Sequence, residues 1–223
     1  MSFSSSSWPE LTGPAFVPQG ATHLLFCLHG FGADGNDLSP LASPLQGALA
    51  AQGIRLGVLC PNGPSPTPAG MGRQWFSDKS WTFRDREGIE IAKELLWDFI
   101  QNTATEHGIP LSNIAVLGFS QGAMTALYAA PRWPEQVGAV VACAGVAMWQ
   151  EELDTATCKK PPFLLLHGTE DDVVPADASH AAHAGLEGLG FNARLELLED
   201  LGHGIDGRVL AHTVTFLAEV WTA

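Results

Sequence analysis

The sequence predicts an α/β protein with a mostly parallel central sheet and helices on both of its faces. Short apolar runs alternate along the chain with longer runs of helical spacing, which is the order that such a fold requires. The short runs are apolar at nearly every position, as expected of strands that are covered on both sides. Fifteen prolines and 24 glycines divide the chain often, as many short elements joined by turns would need.

Composition sets limits on the size of the core and on the partners. With 223 residues, 46% of them hydrophobic, the chain suits a single domain over residues 1–223 with a sizeable core. Charged residues make up 16% and the mean hydropathy is +0.10, which excludes a disordered chain. The net charge of −13, with no basic cluster, argues against nucleic acid and anionic membrane surfaces. No apolar run approaches the roughly 20 residues of a membrane span.

The cysteines and the start of the chain indicate the compartment. The four cysteines lack C-x-x-C spacing, and three of them lie in strand-like runs where cysteine usually behaves as a small buried hydrophobe. Residues 1–7 have neither the basic region nor the apolar region of a secretory signal. We therefore expect a cytoplasmic protein.

The predicted elements alternate throughout the chain. Residues 1–20 are expected to form an irregular or edge-strand lead-in. Strands are predicted over residues 23–29, 54–60, 113–117, 137–144, 163–166 and 194–198. Helices are predicted over residues 38–49, 88–107, 123–130, 175–189 and 205–221. Gly108 and Gly190 end two of these helices, Asp37 is expected to cap the first, and Pro44 is expected to kink or split it.

The segment Gly118–Gly122 reads G-F-S-Q-G and lies between a predicted strand and a predicted helix. A nucleophile elbow requires that context, because its serine sits on a sharp strand-to-helix turn. The backbone of such a turn is strained, so the positions two residues before and after the serine favour glycine. A glycine turn that serves only close packing is the alternative, and the flanking strand and helix favour Ser120 as a nucleophile.

A serine nucleophile needs a base, and the base needs an orienting acid. The loop after the fifth predicted strand holds three adjacent acids, Glu170, Asp171 and Asp172, and the loop after the last strand holds His203 between two glycines. The chain order of serine, acid and histidine is that of hydrolases whose nucleophile lies on such an elbow. A solvated loop histidine is the alternative for His203, and the agreement of three loops disfavours it.

The tetrahedral intermediate of acyl transfer carries an oxyanion that needs two preorganised N–H donors. One is the amide of Gln121, which follows the nucleophile. The other comes from the loop after the first buried strand, which contains His29–Gly32, and we expect the amide of Phe31 to supply it.

Residues 64–86 form the longest stretch without periodicity, yet they carry several large apolar side chains: Met71, Trp75, Phe76, Trp81 and Phe83. Long apolar loops are often functional, and this one follows a strand whose C-terminal end faces the predicted site. We expect Met71, Trp75 and Phe76 to line the substrate-binding wall. Packing of these side chains onto the core is the alternative, and the sequence leaves open whether the segment is a mobile lid.

Other polar side chains receive lesser roles. His180 and His183 lie three residues apart on a predicted helix but lack the further ligands of a metal site, so we expect a solvated helix face. His29 and His167 follow strands, where we expect them to hydrogen-bond backbone groups near the site. Cys143 lies inside a strand and is expected to be a core residue.

Five motifs of the chain resemble the phospholipase/carboxylesterase family of α/β-hydrolases, which includes the acyl-protein thioesterases. They are L-H-G-F-G at residues 28–32, Q-W-F at 74–76, G-F-S-Q-G at 118–122, H-G-T-E-D-D-V-V-P at 167–175 and G-H at 202–203. They span nearly the whole chain in family order. The family pattern H-G-x-x-D-x-x-V-P places the acid on Asp171, with Glu170 and Asp172 as lesser candidates. Relatives commonly carry proline where this chain has Asp172, so the turn there is expected to differ slightly.

The resemblance implies hydrolysis of short- to medium-chain carboxylic esters by Ser120, His203 and Asp171, without a cofactor or metal, and a tendency to form homodimers. An acyl thioesterase or a lysophospholipase is the closest alternative. A non-catalytic binding protein on the same fold is the alternative from another class, and the presence of all three triad candidates disfavours it. The natural substrate, the acyl chain length and the leaving group do not follow from the sequence.

Overall fold

The computed structural model describes residues 10–77 and 85–222. Its strands are β1 (Ala15–Phe16), β2 (His23–Leu28), β3 (Leu56–Leu59), β4 (Ser65–Pro66), β5 (Arg73–Gln74), β6 (Ile114–Phe119), β7 (Ala139–Cys143), β8 (Phe163–Gly168) and β9 (Ala193–Leu198). Its helices are α1 (Gly35–Leu38), α2 (Ala42–Ala50), α3 (Arg86–His107), α4 (Gln121–Ala129), α5 (Asp177–Gly188) and α6 (Gly207–Thr222). Within the described ranges, no helix is both long enough and apolar enough to cross a bilayer.

Seven of the described strands form one sheet, in the order β1-β3-β2-β6-β7-β8-β9. Neighbouring strands from β3 to β9 are parallel, and β1 pairs antiparallel with β3 at the edge. β4 and β5 form a separate antiparallel hairpin. The mostly parallel sheet is therefore confirmed. The predicted lead-in contains the edge strand β1, and its residues 1–9 lie outside the described part of the chain.

The helices cover both faces of this sheet, because successive side chains of a strand point to opposite sides. In β2, Leu24, Phe26 and Leu28 belong to a buried cluster that α3, α4 and α5 complete. Leu25 and Cys27 belong to a second cluster, which α2 and α6 complete. The inner strands are apolar at nearly every position because each of their faces meets a layer of helices, whereas β9 at the edge also carries Arg194 and Glu196.

The first predicted helix is divided in two. Asp34 caps α1 by accepting a hydrogen bond from the Asn36 amide at 2.8 Å, so the expectation that Asp37 is the cap was wrong. A 3₁₀ turn at Ser39–Leu41 separates α1 from α2, and the split therefore precedes Pro44. Pro44 falls in the first turn of α2, where its missing N–H would have no partner within the helix.

The topology also fixes where the site can form. The chain runs from β2 to β3 on one side and later returns to β6 on the other side of β2. In parallel sheets, ligands bind outside the carboxyl ends of the strands at such a reversal. The register pairs Leu28 with Gly118, so the loops that follow β2 and β6 leave the sheet side by side.

Candidate active site

Ser120 lies on the sharp turn between β6 and α4. Its φ of 52° and ψ of −117° put a residue with a side chain into a backbone region that L-amino acids rarely adopt. A Cβ atom on Gly118 would lie 2.3 Å from the Gly122 carbonyl oxygen, and one on Gly122 would lie 2.0 Å from the Leu28 carbonyl oxygen. Close backbone contacts therefore require both glycines, and the turn that they permit holds Ser120 directly before α4.

The Asp171 carboxylate, in the loop after β8, is hydrogen-bonded at both oxygens. Oδ1 accepts from the amides of Val173 and Val174 at 2.9 and 2.8 Å. Oδ2 lies 2.7 Å from Nδ1 of His203, which therefore carries the proton of that bond. Burial acts to raise the pKa of the Asp171 carboxyl, but the hydrogen bonds from His203 and the two amides outweigh it and lower that pKa.

His203, in the loop after β9, reaches one of the three adjacent acids. Glu170 and Asp172 are exposed, whereas Asp171 is buried and contacts His203. The His203 ring packs on Phe119, with ring centroids 4.9 Å apart, and so lies beside the residue that precedes Ser120. Within residues 10–77 and 85–222, no hydrogen bond joins Ser120 Oγ to His203. Catalytic hydrogen bonds are often long in unliganded sites and tighten when substrate binds.

The loop after β2 lies against the elbow. A Cβ atom on Gly30 would lie 3.3 Å from Ser120 Cβ, so the peptide between Gly30 and Phe31 is close to the candidate nucleophile. Gln121 is the first residue of α4, and the N–H groups of a helix's first turn have no partner within the helix. Phe31 and Gln121, the two predicted oxyanion donors, thus belong to the two segments that border Ser120.

His29 fastens this loop to its neighbour. Its Nε2 accepts from the Gly63 amide at 2.9 Å, so Nδ1 carries the hydrogen and donates to the Gly30 carbonyl at 2.7 Å. Burial lowers the pKa of His29, which favours the neutral ring that these two bonds need. The expectation that His29 and His167 bond backbone groups near the site is confirmed, since His167 Nε2 lies 2.8 Å from the Val174 carbonyl.

The aromatic segment around Trp75 is buried. Trp75 and Phe76 have 1% and 3% of their surface exposed. The Trp75 amide donates to Gln121 Oε1 at 2.9 Å, and Gln121 Nε2 donates to the Phe76 carbonyl at 2.8 Å. The Trp75 indole donates to the His29 carbonyl at 2.9 Å. The segment is therefore bonded both to the elbow and to the loop after β2.

The burial of Trp75 and Phe76 favours the alternative that these side chains pack the segment onto the core, and the substrate-binding wall stays a prediction. Trp75 is enclosed and its indole N–H is already bonded, so it packs the segment onto the loops of the site. Met71 differs, because it is 76% exposed on the turn between β4 and β5. Trp81 and Phe83 lie outside the described residues.

Two side chains near the site were not predicted in the roles that they have. Gln121 was expected to contribute its amide, but its side chain also holds the backbone of residues 75–76. His167 was expected to bond backbone near the site, and its Nε2 also lies 3.2 Å from Asp171 Oδ2. The H-G-x-x-D spacing is the one sequence signal for that second contact. Cys143 is confirmed as a core residue, and burial raises the pKa of its thiol to about 12.

A parallel sheet with a serine elbow after a central strand, followed in chain order by an acid loop and a histidine loop, defines an α/β-hydrolase. The family model of the phospholipases/carboxylesterases matches residues 18–221, and the chain belongs to that family.

Relatives of the chain agree with this assignment. Esterase YpfH of Escherichia coli K12 is 32% identical over 156 residues, which cover 69% of this chain and 65% of that protein. Acyl-protein thioesterase 1 of Eremothecium gossypii is 29% identical over 211 residues, which cover 89% of this chain and 88% of that protein. The crystal structure of esterase PE8 superposes with a TM-score of 0.82, and its sequence is 34% identical to this one. The match covers 95% of this chain and 100% of that chain. The enzyme class is carboxylic ester hydrolase.

Proposed function

We propose that this chain is a serine carboxylesterase that cleaves short- to medium-chain carboxylic esters through an acyl-enzyme. The observation that carries the proposal is the 2.7 Å bond between Asp171 Oδ2 and His203 Nδ1, beside the strained turn at Ser120. Because Nδ1 of His203 donates its proton to that bond, Nε2 is the nitrogen that can accept a proton from a nucleophile. The family membership and the esterase relatives support the same chemistry.

Acylation begins when Ser120 Oγ bonds to the ester carbonyl carbon while His203 Nε2 accepts the hydroxyl proton. Asp171 holds the Nδ1 proton and stabilises the imidazolium that forms. The amides of Phe31 and Gln121 donate to the oxyanion of the tetrahedral intermediate. Collapse of that intermediate breaks the bond to the alcohol oxygen, and the alcohol leaves with the proton from His203.

Deacylation repeats these steps with water in place of the alcohol. His203 Nε2 accepts a proton from water as the water oxygen bonds to the acyl carbon. The second tetrahedral intermediate expels Ser120 Oγ, which takes the proton back from His203. The products are a carboxylic acid and the original enzyme, so water is the one co-reactant that the reaction consumes.

Acyl thioesters are the second candidate substrates, because several relatives are named acyl-protein thioesterase 1. A thioester forms the same intermediate on Ser120, and the same oxyanion donors would serve it. Lysophospholipid hydrolysis uses this chemistry as well. A non-catalytic binding protein is disfavoured, because a costly backbone conformation at Ser120 would then have no use.

The substitution Ser120→Ala tests the proposal, because it removes one hydroxyl group. We expect kcat to fall by several orders of magnitude, on the order of a millionfold where serine is the nucleophile, with the melting temperature retained. A fluorophosphonate should label the parent but not the variant. Ser112→Ala, at an exposed serine, is the matched control and should keep both activity and labelling. Residual activity within about tenfold of the parent would contradict the proposal.

A panel of esters and thioesters of graded acyl length then separates the two substrate classes by kcat/KM.

The single domain over residues 1–223, the cytoplasmic location and the homodimer remain predictions of the sequence.

A further inference from the structure

His167 is a buried histidine that takes no part in the proposed reaction. It lies near the end of β8 and is 1% exposed. Its Nδ1 is 2.6 Å from Ser179 Oγ, and its Nε2 is 2.8 Å from the Val174 carbonyl and 3.2 Å from Asp171 Oδ2. Because carbonyl and carboxylate oxygens accept hydrogen bonds, the ring carries its hydrogen on Nε2, and Nδ1 accepts from the Ser179 hydroxyl.

These contacts hold Asp171 in two ways. The Nε2–H group of His167 faces Oδ2, the same carboxylate oxygen that accepts from His203. It also holds the carbonyl of Val174, whose amide binds the other carboxylate oxygen at 2.8 Å. The side chains of His167 and Asp171 are both 0% exposed, so bulk water would not replace a lost donor.

We propose that His167 is a positioning residue that fixes the Asp171 carboxylate with Oδ2 directed at His203 Nδ1. The inference rests on the proposed Ser120–His203–Asp171 reaction. A carboxylate that turned away from His203 would no longer hold the ring in the tautomer that general-base catalysis needs. Displacing a catalytic group by about 1 Å can cost a hundredfold in rate, so the effect is measurable without any contact between His167 and substrate.

Two substitutions at the same position separate positioning from mere packing. His167→Gln carries its amide nitrogen to the place of Nε2, and so can still donate towards Asp171 and Val174. His167→Asn carries its amide group to the place of Nδ1, and so can bond Ser179 without reaching Asp171. We expect kcat of His167→Asn to fall about ten- to a hundredfold with KM unchanged, and His167→Gln to stay within about threefold of the parent.

A spectroscopic readout should follow the same order. The proton on His203 Nδ1 gives a downfield ¹H NMR signal when it is held by a carboxylate. That signal should persist in His167→Gln and broaden or move upfield in His167→Asn. Ser179→Ala is the matched control, because it removes the bond at Nδ1 and leaves the contact at Nε2. It should lower the melting temperature while its kcat stays within about threefold of the parent.

Equal kcat values and equal His203 signals in folded His167→Asn and His167→Gln would overturn the inference. So would a loss of kcat in Ser179→Ala as large as that in His167→Asn. If His167→Asn does not fold, His167→Gln alone tests the inference. A kcat and a His203 proton signal equal to those of the parent support positioning, and a loss of kcat above about tenfold overturns it. Ser120→Ala, measured in parallel, keeps the two proposals apart. If Ser120→Ala retains activity, the proposed reaction fails. If it is inactive and the two His167 variants are alike, the positioning role alone fails.

Discussion

The acid side of the site and its aromatic side are held in place by different kinds of bonds. On the acid side, the buried Asp171 carboxylate accepts from two backbone amides and from His203. On the aromatic side, the bonds join neutral groups: Trp75 donates to Gln121 and to the His29 carbonyl, and Gln121 donates to Phe76. On the acid side, Nε2 of His203 remains available to a reactant. On the aromatic side, the groups named here donate and accept only among themselves.

Because of this difference, we expect the two sides to contribute differently, the acid side to the reaction rate and the aromatic side to the stability of the site loops. A buried carboxylate changes the energy of the imidazolium that forms during the reaction, so its removal should alter the rate far more than the stability. A neutral bond that is the same before and during the reaction binds ground state and transition state equally and does not by itself raise kcat. Variants on the acid side should therefore lose kcat, and variants on the aromatic side should first lose stability.

Between the acid side and the aromatic side, the largest effect is expected from Asp171→Asn. The amide cannot hold the Nδ1 proton of His203 as the carboxylate does, so kcat should fall by about 10⁴ while the fold is retained. The neighbouring exposed acids provide matched controls, since Glu170→Gln and Asp172→Asn each remove one charge without touching His203. Their kcat/KM values should stay within about threefold of the parent. Steady-state kinetics on one ester, with melting temperatures, measure all three variants.

A larger loss in Asp172→Asn than in Asp171→Asn would place the acid elsewhere. The acid side would then have no catalytic carboxylate at Asp171, and the comparison with the aromatic side would fail.

The elbow and the acid loop could be predicted because each carries a short motif, whereas the bond between Asp171 and His203 joins residues 32 apart and was predicted from the chain order of the loops. Gly118 and Gly122 are required by backbone contacts within a few residues of Ser120 or with the adjacent strand. The resemblance to the family pattern H-G-x-x-D-x-x-V-P predicts the acid at Asp171, and the amides of Val173 and Val174 bind that carboxylate. A local pattern therefore reports a local hydrogen-bond geometry.

The aromatic side could not be predicted in the same way. The partners of Trp75 are Gln121 and His29, and each is 46 residues away along the chain. An apolar side chain in a stretch without periodicity has no pattern that shows whether it faces a ligand or the core. The side-chain bonds of Gln121 likewise depend on the tertiary path of the segment, which no motif at residues 118–122 encodes.

The second effect in size is expected from Trp75→Ala. Removal of a fully buried indole should cost about 3–5 kcal/mol in the free energy of unfolding. At a temperature where the variant is folded, kcat/KM should fall alike for acetyl, hexanoyl and octanoyl esters, because Trp75 packs the site loops instead of touching the acyl chain. Chemical denaturation and the ester series measure the two parts.

Trp75→Phe sharpens the comparison, because it keeps an aromatic ring but removes the donor to the His29 carbonyl. We expect a loss of about 1–3 kcal/mol of stability, again without a change in acyl preference. A loss that grew with acyl length in either variant would return Trp75 to the substrate wall and give the aromatic side a direct part in specificity.

The smallest effect is expected at Met71, the exposed member of the predicted wall. The hairpin that carries it is bonded to the loop after β2: the Gly32 amide donates to the Arg73 carbonyl at 2.9 Å, and the Arg73 amide donates to the Ala33 carbonyl at 2.7 Å. A Cβ atom on Gly72 would lie 1.9 Å from the Gly32 carbonyl oxygen, so the two backbones are in close contact. Met71 is thus held beside the loop that contains Phe31, where it can cover part of a bound acyl chain.

Each acyl methylene that leaves water gains about 0.8 kcal/mol, and a side chain as exposed as Met71 can cover only part of that surface. We therefore expect Met71→Ala to lower kcat/KM for an octanoyl ester about threefold relative to an acetyl ester, with the melting temperature unchanged. Met71→Leu is the control that keeps an apolar side chain and should retain the parent's preference. If Met71→Ala leaves the ratio of the two esters unchanged, Met71 does not contact the acyl chain, and the selection of chain length must lie with other residues around Ser120.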